Sequence, residues 1–160
     1  MAKRSVRPGP VPVKQPAAEK TAAVIRYIET SALLAALLER QPEAIKALRA
    51  KGRRVTSRLT LAEGARAVRR ARNDGRLTPQ QERAALLALR RFGRRCYIVS
   101  VTDAVLERAG RPFPIEPICT LDAVHLATAE LLESPQFVTM VTRDRRVQQN
   151  ANALGYVVEG

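Results

Sequence analysis

The chain has 160 residues, 46% of them hydrophobic, with 28 lysines and arginines against 15 acids and a formal net charge of +13. That length fits one domain, and that apolar share can bury a core, which excludes a disordered chain or a disulfide-stapled miniprotein. The apolar run at 32–38 is too short to span a bilayer, and the basic N-terminus continues into proline and glycine, so neither a membrane span nor a signal peptide is expected.

Residues 1–22, with Pro8, Gly9, Pro10, Pro12 and Pro16 among basic residues, read as a flexible tail ahead of a single domain over 23–160. Such a tail is open to three uses: folding against a partner, skimming an RNA backbone, or none. Residues 24–28 form a β-branched run of strand length. Thr30 or Ser31 then caps a helix through Leu33, Leu34, Leu37 and Leu38, and Pro42 opens a second helix that ends at Gly52. Residues 53–57 read as the second strand. Thr60-Leu61-Ala62-Glu63 has a capping-box pattern and opens a helix running to the Asn73-Asp74-Gly75 turn. Thr78-Pro79-Gln80-Gln81 opens another helix in the same way, stopped by Gly93. Residues 96–101 read as the third strand, followed by a short helix capped at Thr102 or Asp103. A helix over 121–132 capped by Thr120, a strand over 137–141, a helix over 144–154 and a final strand over 156–158 complete the chain. Cys96 and Cys119 have no metal-binding or CxxC spacing and read as ordinary small residues of a protein in a reducing cytoplasm.

Strands separated by helices require crossovers, so the expected fold is α/β: a three-layer α/β/α sandwich with a mainly parallel central sheet. In such sheets ligands bind beyond the carboxyl ends of the strands. Glu29 follows the first strand, Glu63 lies just past the second, Asp144 follows the fourth, and Asp122 opens a helix nearby. Four acids are thereby gathered at one rim of an acid-poor protein, and a divalent cation is the simplest relief of their repulsion. Each acid also has a local role open to it. Glu63 would close its capping box, Asp122 would favour a first helical turn, Asp144 would cap, and Glu29 would be a solvated loop residue. His125, the single histidine, reads as a residue that packs or hydrogen-bonds beside the sheet.

These segments carry a resemblance. Tyr27-Ile28-Glu29-Thr30-Ser31-Ala32-Leu33 resembles the opening hydrophobic-Asp-Thr-Ser-Ala-Leu motif of PIN domains, the nuclease domains of VapC-type toxins. Glutamate stands here where that family usually has aspartate. Thr56-Ser57 followed by Glu63 resembles the family's second strand and its downstream acid, and residues 121–129, around Asp122, resemble its most recognisable stretch. Val141-Thr142-Arg143-Asp144 resembles the closing motif. The resemblance implies a PIN-like fold and a metal-dependent endoribonuclease. Its site would be formed by Glu29, Glu63, Asp122 and Asp144, holding one or two Mg2+ or Mn2+ ions, with Thr142 orienting a carboxylate or a water. It further implies a toxin paired with a small antitoxin protein, and leaves a homodimer open.

Charge points to the same substrate class. Between Arg49 and Arg95 fifteen basic residues face three acids, a net of +12, whereas residues 96–160 carry a net of −3. Arginine forks onto phosphate oxygens, so nucleic acid is the first candidate partner, with surface solubility as the alternative. Arg66, Arg143, Arg145 and Arg146, nearest the rim, are candidate RNA contacts. The stripe of Arg66, Arg69, Arg70, Arg72 and Arg76 would extend that surface or meet an acidic partner. The alternative function is a catalytically weakened PIN-fold module that binds RNA or protein.

Overall fold

A strand covered on both faces needs apolar residues without alternation, and the four-residue strands Ile25–Ile28 (β1) and Val138–Val141 (β4) are of this kind, Arg26 and Thr139 excepted. The computed structural model describes residues 24–160, so the tail read over 1–22 lies outside the described residues. Strands β1, Arg53–Ser57 (β2), Tyr97–Val99 (β3), β4 and Val157–Glu159 (β5) form one parallel sheet in the order β3-β2-β1-β4-β5.

Among the described residues, seven helices cover the two faces: Thr30–Leu37 (α1), Pro42–Arg49 (α2), Arg58–Asn73 (α3), Pro79–Gly93 (α4), Asp103–Ala109 (α5), Thr120–Glu130 (α6) and Arg145–Ala153 (α7). Consecutive strand residues point to opposite faces, and two cores result. Tyr27 and Met140 pack with Val105, Val124, Leu126 and Val147 under α5, α6 and α7. Ile28 and Val141 pack with Leu33, Ala47 and Leu89 under α1, α2 and α4. The expected three-layer α/β/α sandwich is therefore the observed one.

The chain runs outward from β1 through β2 to β3, then returns to β4 on the other side of β1. The strand order thus reverses between β1 and β4, which opens a crevice beyond their carboxyl ends. Register aligns that crevice. Ile28 pairs with Val141, and the Glu29 amide donates to the Val141 carbonyl at 2.9 Å, so the residues after β1 and β4 emerge side by side.

Several element ends differ from the sequence reading, each for a local reason. Glu29, rather than Thr30 or Ser31, caps α1. Helix α3 begins at Arg58, because the Ser57 hydroxyl accepts from the Leu59 amide at 3.1 Å, so Thr60 is interior and no Thr60–Glu63 box forms. Thr120 is the first residue of α6, after Cys119. Strand β3 is shorter than read, since the Cys96 amide still donates to Gly93 in the exit from α4. Phe137 lies in a 3-10 turn before β4, and the Tyr156 amide closes α7 onto Ala151. The Thr78–Gln81 box and the Thr102 cap form where the sequence places them.

Two features hold β1 in place. Arg26 is buried in mid-sheet at 4% exposure, and its guanidinium donates to Glu159 at 2.6 and 3.0 Å and to the Ala47 carbonyl at 2.9 Å. A buried charge needs such partners. Helix α2 ends before Gly52, which enters β2 at φ 141° and passes close to β1. A Cβ at Gly52 would meet the Val24 carbonyl at 2.7 Å and the Arg26 stem at 2.9 Å. Gly52→Ala is accordingly expected to destabilise the fold by about 2–3 kcal/mol, read as a lowered urea midpoint at unchanged slope.

Candidate active site

A carboxylate at a helix N-cap accepts backbone amides, and Glu29 does so with a side chain one methylene longer than aspartate. The chain curls back so that both oxygens accept the Ser31 amide at 3.0 Å. Oε2 also accepts the Ser31 hydroxyl and, at 2.8 Å, the Thr142 hydroxyl. Ser31 ties a second loop to the same point. Its Oγ accepts the amides of Arg143 at 2.8 Å and Asp144 at 3.0 Å, and the Asp144 amide also reaches Thr142 Oγ1 at 3.1 Å. The segment after β4 is thus stitched to the segment after β1 across the crevice. Asp144 caps α7, its Oδ1 accepting Arg146 and Val147 amides at 2.8 and 3.1 Å.

Freed from a capping box, Glu63 turns into the site from the second turn of α3. Its Oε2 accepts the Thr30 hydroxyl and His125 Nε2, the latter at 2.8 Å. Because a carboxylate only accepts, Nε2 carries the proton, and in the neutral ring Nδ1 accepts the Tyr27 hydroxyl at 2.9 Å. Burial drives the Tyr27 phenol far above its ordinary pKa, so it remains a donor. Tyr27 and His125 are both almost fully buried, at 0% and 1% exposure. His125 therefore fixes the Glu63 carboxylate from beneath, and Tyr27 fixes His125.

Glu29, Glu63 and His125 each offer an atom within 4.8 Å of the other two, and His125 Nε2 lies 3.8 Å from Glu29 Oε1. Burial opposes charge on Glu63, yet the hydrogen bonds from His125 and Thr30 and the nearby imidazole outweigh it, leaving the carboxyl below its ordinary range. Asp122, in the first turn of α6, behaves oppositely. Burial first, then the charges of Asp144 and Glu29, with a smaller push from Glu63, raise it from 3.8 to about 6. Four acids share one field, but only Glu29 and Glu63 belong to the tightest group.

Of the six arginines singled out, Arg143, Arg145 and Arg146 flank the crevice at the start of α7, and the Arg146 guanidinium donates to Cys119 Sγ at 3.0 Å. Arg66, Arg69 and Arg70 are exposed along α3, leading away from Glu63. Burial pushes the Cys96 thiol up to about 11, in keeping with a packing role. Sequence reasoning missed Tyr27, Thr30 and Ser31 as parts of the site. The signal for Thr30 and Ser31 was their place directly after a strand-end acid; Tyr27 in an apolar strand carried none.

The family profile described as PIN domain matches residues 26–153, which span all four acids. The chain belongs to the PIN domain family. A relative of the same length range is Ribonuclease VapC35 of Mycobacterium tuberculosis, 34% identical over 137 residues, covering 82% of this chain and 93% of that protein. Similar solved structures include the Mycobacterium tuberculosis VapC20 toxin, described as cleaving the Sarcin-Ricin loop. It has a TM-score of 0.60 and 18% identity over 82% of this chain and 96% of its own. VapBC2 of Rickettsia felis bound to promoter DNA gives a TM-score of 0.57 and 16% identity, covering 84% and 97% respectively.

The donor set of this PIN domain fits a hard cation. Glu63 Oε2 is taken by Thr30 and His125, which leaves its Oε1 without a hydrogen bond among the described residues. Glu29 commits Oε2 to the two hydroxyls, while its Oε1 shares the Ser31 amide, makes no other hydrogen bond among the described residues and lies 3.8 Å from His125 Nε2. One free carboxylate oxygen on Glu63 and one singly bonded on Glu29, beside two further acids, suit Mg2+ or Mn2+. Both His125 nitrogens are already engaged, so it orients a carboxylate and is not itself a donor to a metal.

The raised Asp122 carboxyl gives a sign-definite expectation in the absence of metal. A group whose folded pKa of about 6 exceeds its unfolded 3.8 contributes its stability below 3.8 and loses it as pH rises through 6. Asp122→Asn should remove that loss. In EDTA its melting temperature should exceed the parent's by about 2–5 °C at neutral pH, and the gain should shrink to nothing as pH falls to about 4. Thermal scans across that range check it.

Proposed function

We propose that this PIN domain is an endoribonuclease, the toxin of a toxin–antitoxin pair, and that it hydrolyses RNA phosphodiester bonds with Mg2+ or Mn2+ held by Glu29, Glu63, Asp122 and Asp144. The observation that carries the reading is the shared field of the four acids at the β1/β4 crevice, within a family whose relative at 34% identity is a ribonuclease. A small antitoxin protein is the proposed partner, in line with the VapBC pair among the similar structures. Among the described residues no helix is long and apolar enough to cross a membrane. Residues 1–22 are proposed as a basic extension ahead of a nuclease domain over 23–160.

A divalent cation bound there supplies Lewis acidity, lowering the pKa of a water and offsetting charge that develops on the phosphoryl oxygens. The protein's own part is geometric. Ser31 and Thr142 fix Glu29, Thr30 and His125 fix Glu63, and the helix N-termini of α6 and α7 carry Asp122 and Asp144 to the same crevice. Arg143, Arg145 and Arg146 supply positive charge at the rim, where scissile and neighbouring phosphates would be steered and held.

A second reading has one specific observation behind it. Glu29 is so fully bonded as a cap that its contacts account for it without catalysis, which would suit a PIN-fold module that binds RNA or protein.

Cleavage of a labelled RNA, with and without EDTA, separates the readings. The parent should cleave in Mg2+ or Mn2+ and not in EDTA. Glu29→Gln should lose cleavage by at least about a hundredfold, because an amide lacks the charge a hard cation requires. Glu29→Asp should lose about ten- to a hundredfold, since the shorter arm gives up hydrogen bonds to a charged group worth about 1.5–3 kcal/mol. A parent that never cleaves, in either metal, makes the binding module the correct account.

A further inference from the structure

Helices α3 and α4 pack as an antiparallel pair joined by the turn after Asn73, and the seam between them opens into a hollow of about 600 Å3 lined by Arg66, Arg69, Arg72, Asn73 and Glu82. Three cations meet one acid there. Arg72 lies 4.0 Å from Glu82, whereas Arg66 and Arg69 are exposed and make no ion pair among the described residues. Like charges held close on one helix repel, so an arrangement of this kind costs stability unless an anion is bound.

Position gives the hollow its meaning. It starts one helical turn beyond Glu63 and runs along α3 away from the acids. At 1.5 Å of rise per residue, Arg69 lies about 9 Å and Asn73 about 15 Å along the axis from Glu63. A nucleic-acid strand whose scissile phosphate sits at the acids would lay phosphates a few nucleotides away against this seam. Arginine forks suit phosphodiester oxygens, Asn73 adds an uncharged donor, and Glu82 holds Arg72 in place while leaving the other two arginines free. No apolar side chain lines the hollow, which argues against a docked protein helix and for a backbone that presents only phosphate and sugar.

We propose that the α3/α4 hollow is a phosphate-binding subsite for the RNA strand flanking the cleavage point, with Arg66 and Arg69 as its principal contacts. The inference rests on RNA being the substrate, and it adds that recognition extends beyond the acid crevice to one side, along α3. Binding energy from these remote phosphates would anchor long RNA in register while short fragments miss the hollow.

The test is RNA binding by the full chain in EDTA, where cleavage cannot interfere, as a function of salt. For an unstructured RNA of about ten nucleotides, Arg66→Ala/Arg69→Ala should reduce the slope of log affinity against log salt by about 1.4, two contacts at about 0.7 each for single strands. Lys46→Ala/Arg111→Ala, which removes two exposed charges elsewhere, should leave the slope unchanged. Glu82→Gln should tighten binding about threefold at low salt. On an RNA of about three nucleotides all of these differences should vanish. If the parent binds RNA and the two double variants have equal slopes, the subsite is wrong and the ribonuclease reading survives. If the parent fails to bind RNA even at low salt, the substrate assignment itself falls. A double variant that keeps its RNA slope but loses an acidic protein partner overturns the subsite in favour of a protein surface.

Discussion

The structure depends on how negative charge is held where the sheet reverses direction. Strands β1 and β4 deliver Glu29 and Thr142 side by side, and α3, α6 and α7 bring Glu63, Asp122 and Asp144 to the same crevice. Left alone, such a group would spread or take up protons. Two of its members are restrained by hydroxyls and an imidazole, and the cost falls on the third, Asp122, whose carboxyl is held up at about 6. The arrangement trades stability for a binding-ready site. A cation would relieve the strain that the protein itself leaves in place.

Ser31 is the residue through which the fold and the site are joined. Its hydroxyl gives its proton to Glu29 and receives the amides of Arg143 and Asp144. The carboxylate, the loop after β4 and the start of α7 are therefore positioned by one side chain. The extra methylene of Glu29 is absorbed in the same place, by curling the chain back onto the helix it caps. On the far side, Tyr27 and His125 form a buried prop for Glu63. The basic surface of α3 and α4 begins one turn beyond Glu63 and leads away from the acids, while Arg143, Arg145 and Arg146 bring positive charge to the rim itself.

The sandwich, the parallel sheet and the rim of acids were legible because they follow from periodicity and from the rule that ligands collect beyond strand ends. What escaped was decided by distant contacts or by competition between equal local signals. Ser57 and Thr60 are both good caps. Register with β3 places Ser57 at the end of β2, so the helix starts there and Glu63 is released into the site. Nothing local distinguishes these outcomes. The role of His125 needed Tyr27, 98 residues away, and the burial of Arg26 needed Glu159, 133 residues away. The cap that Glu29 forms is local, through the Ser31 amide, but the hydroxyl bond that ties it across the crevice needs Thr142, 113 residues away.

Calorimetric titration of the parent protein with Mn2+, at a pH near 5.5 and again near 7.5, tests the central claim most directly. If the crevice holds uncompensated carboxylates with Asp122 titrating near 6, Mn2+ should bind at both values and more tightly at the higher. At the lower value, protons released on binding should be visible as a heat that changes with the buffer's ionisation enthalpy. Binding that ignores pH and buffer, or no binding at millimolar Mn2+, would contradict the account, because the four acids would then be neither coupled nor waiting for a cation.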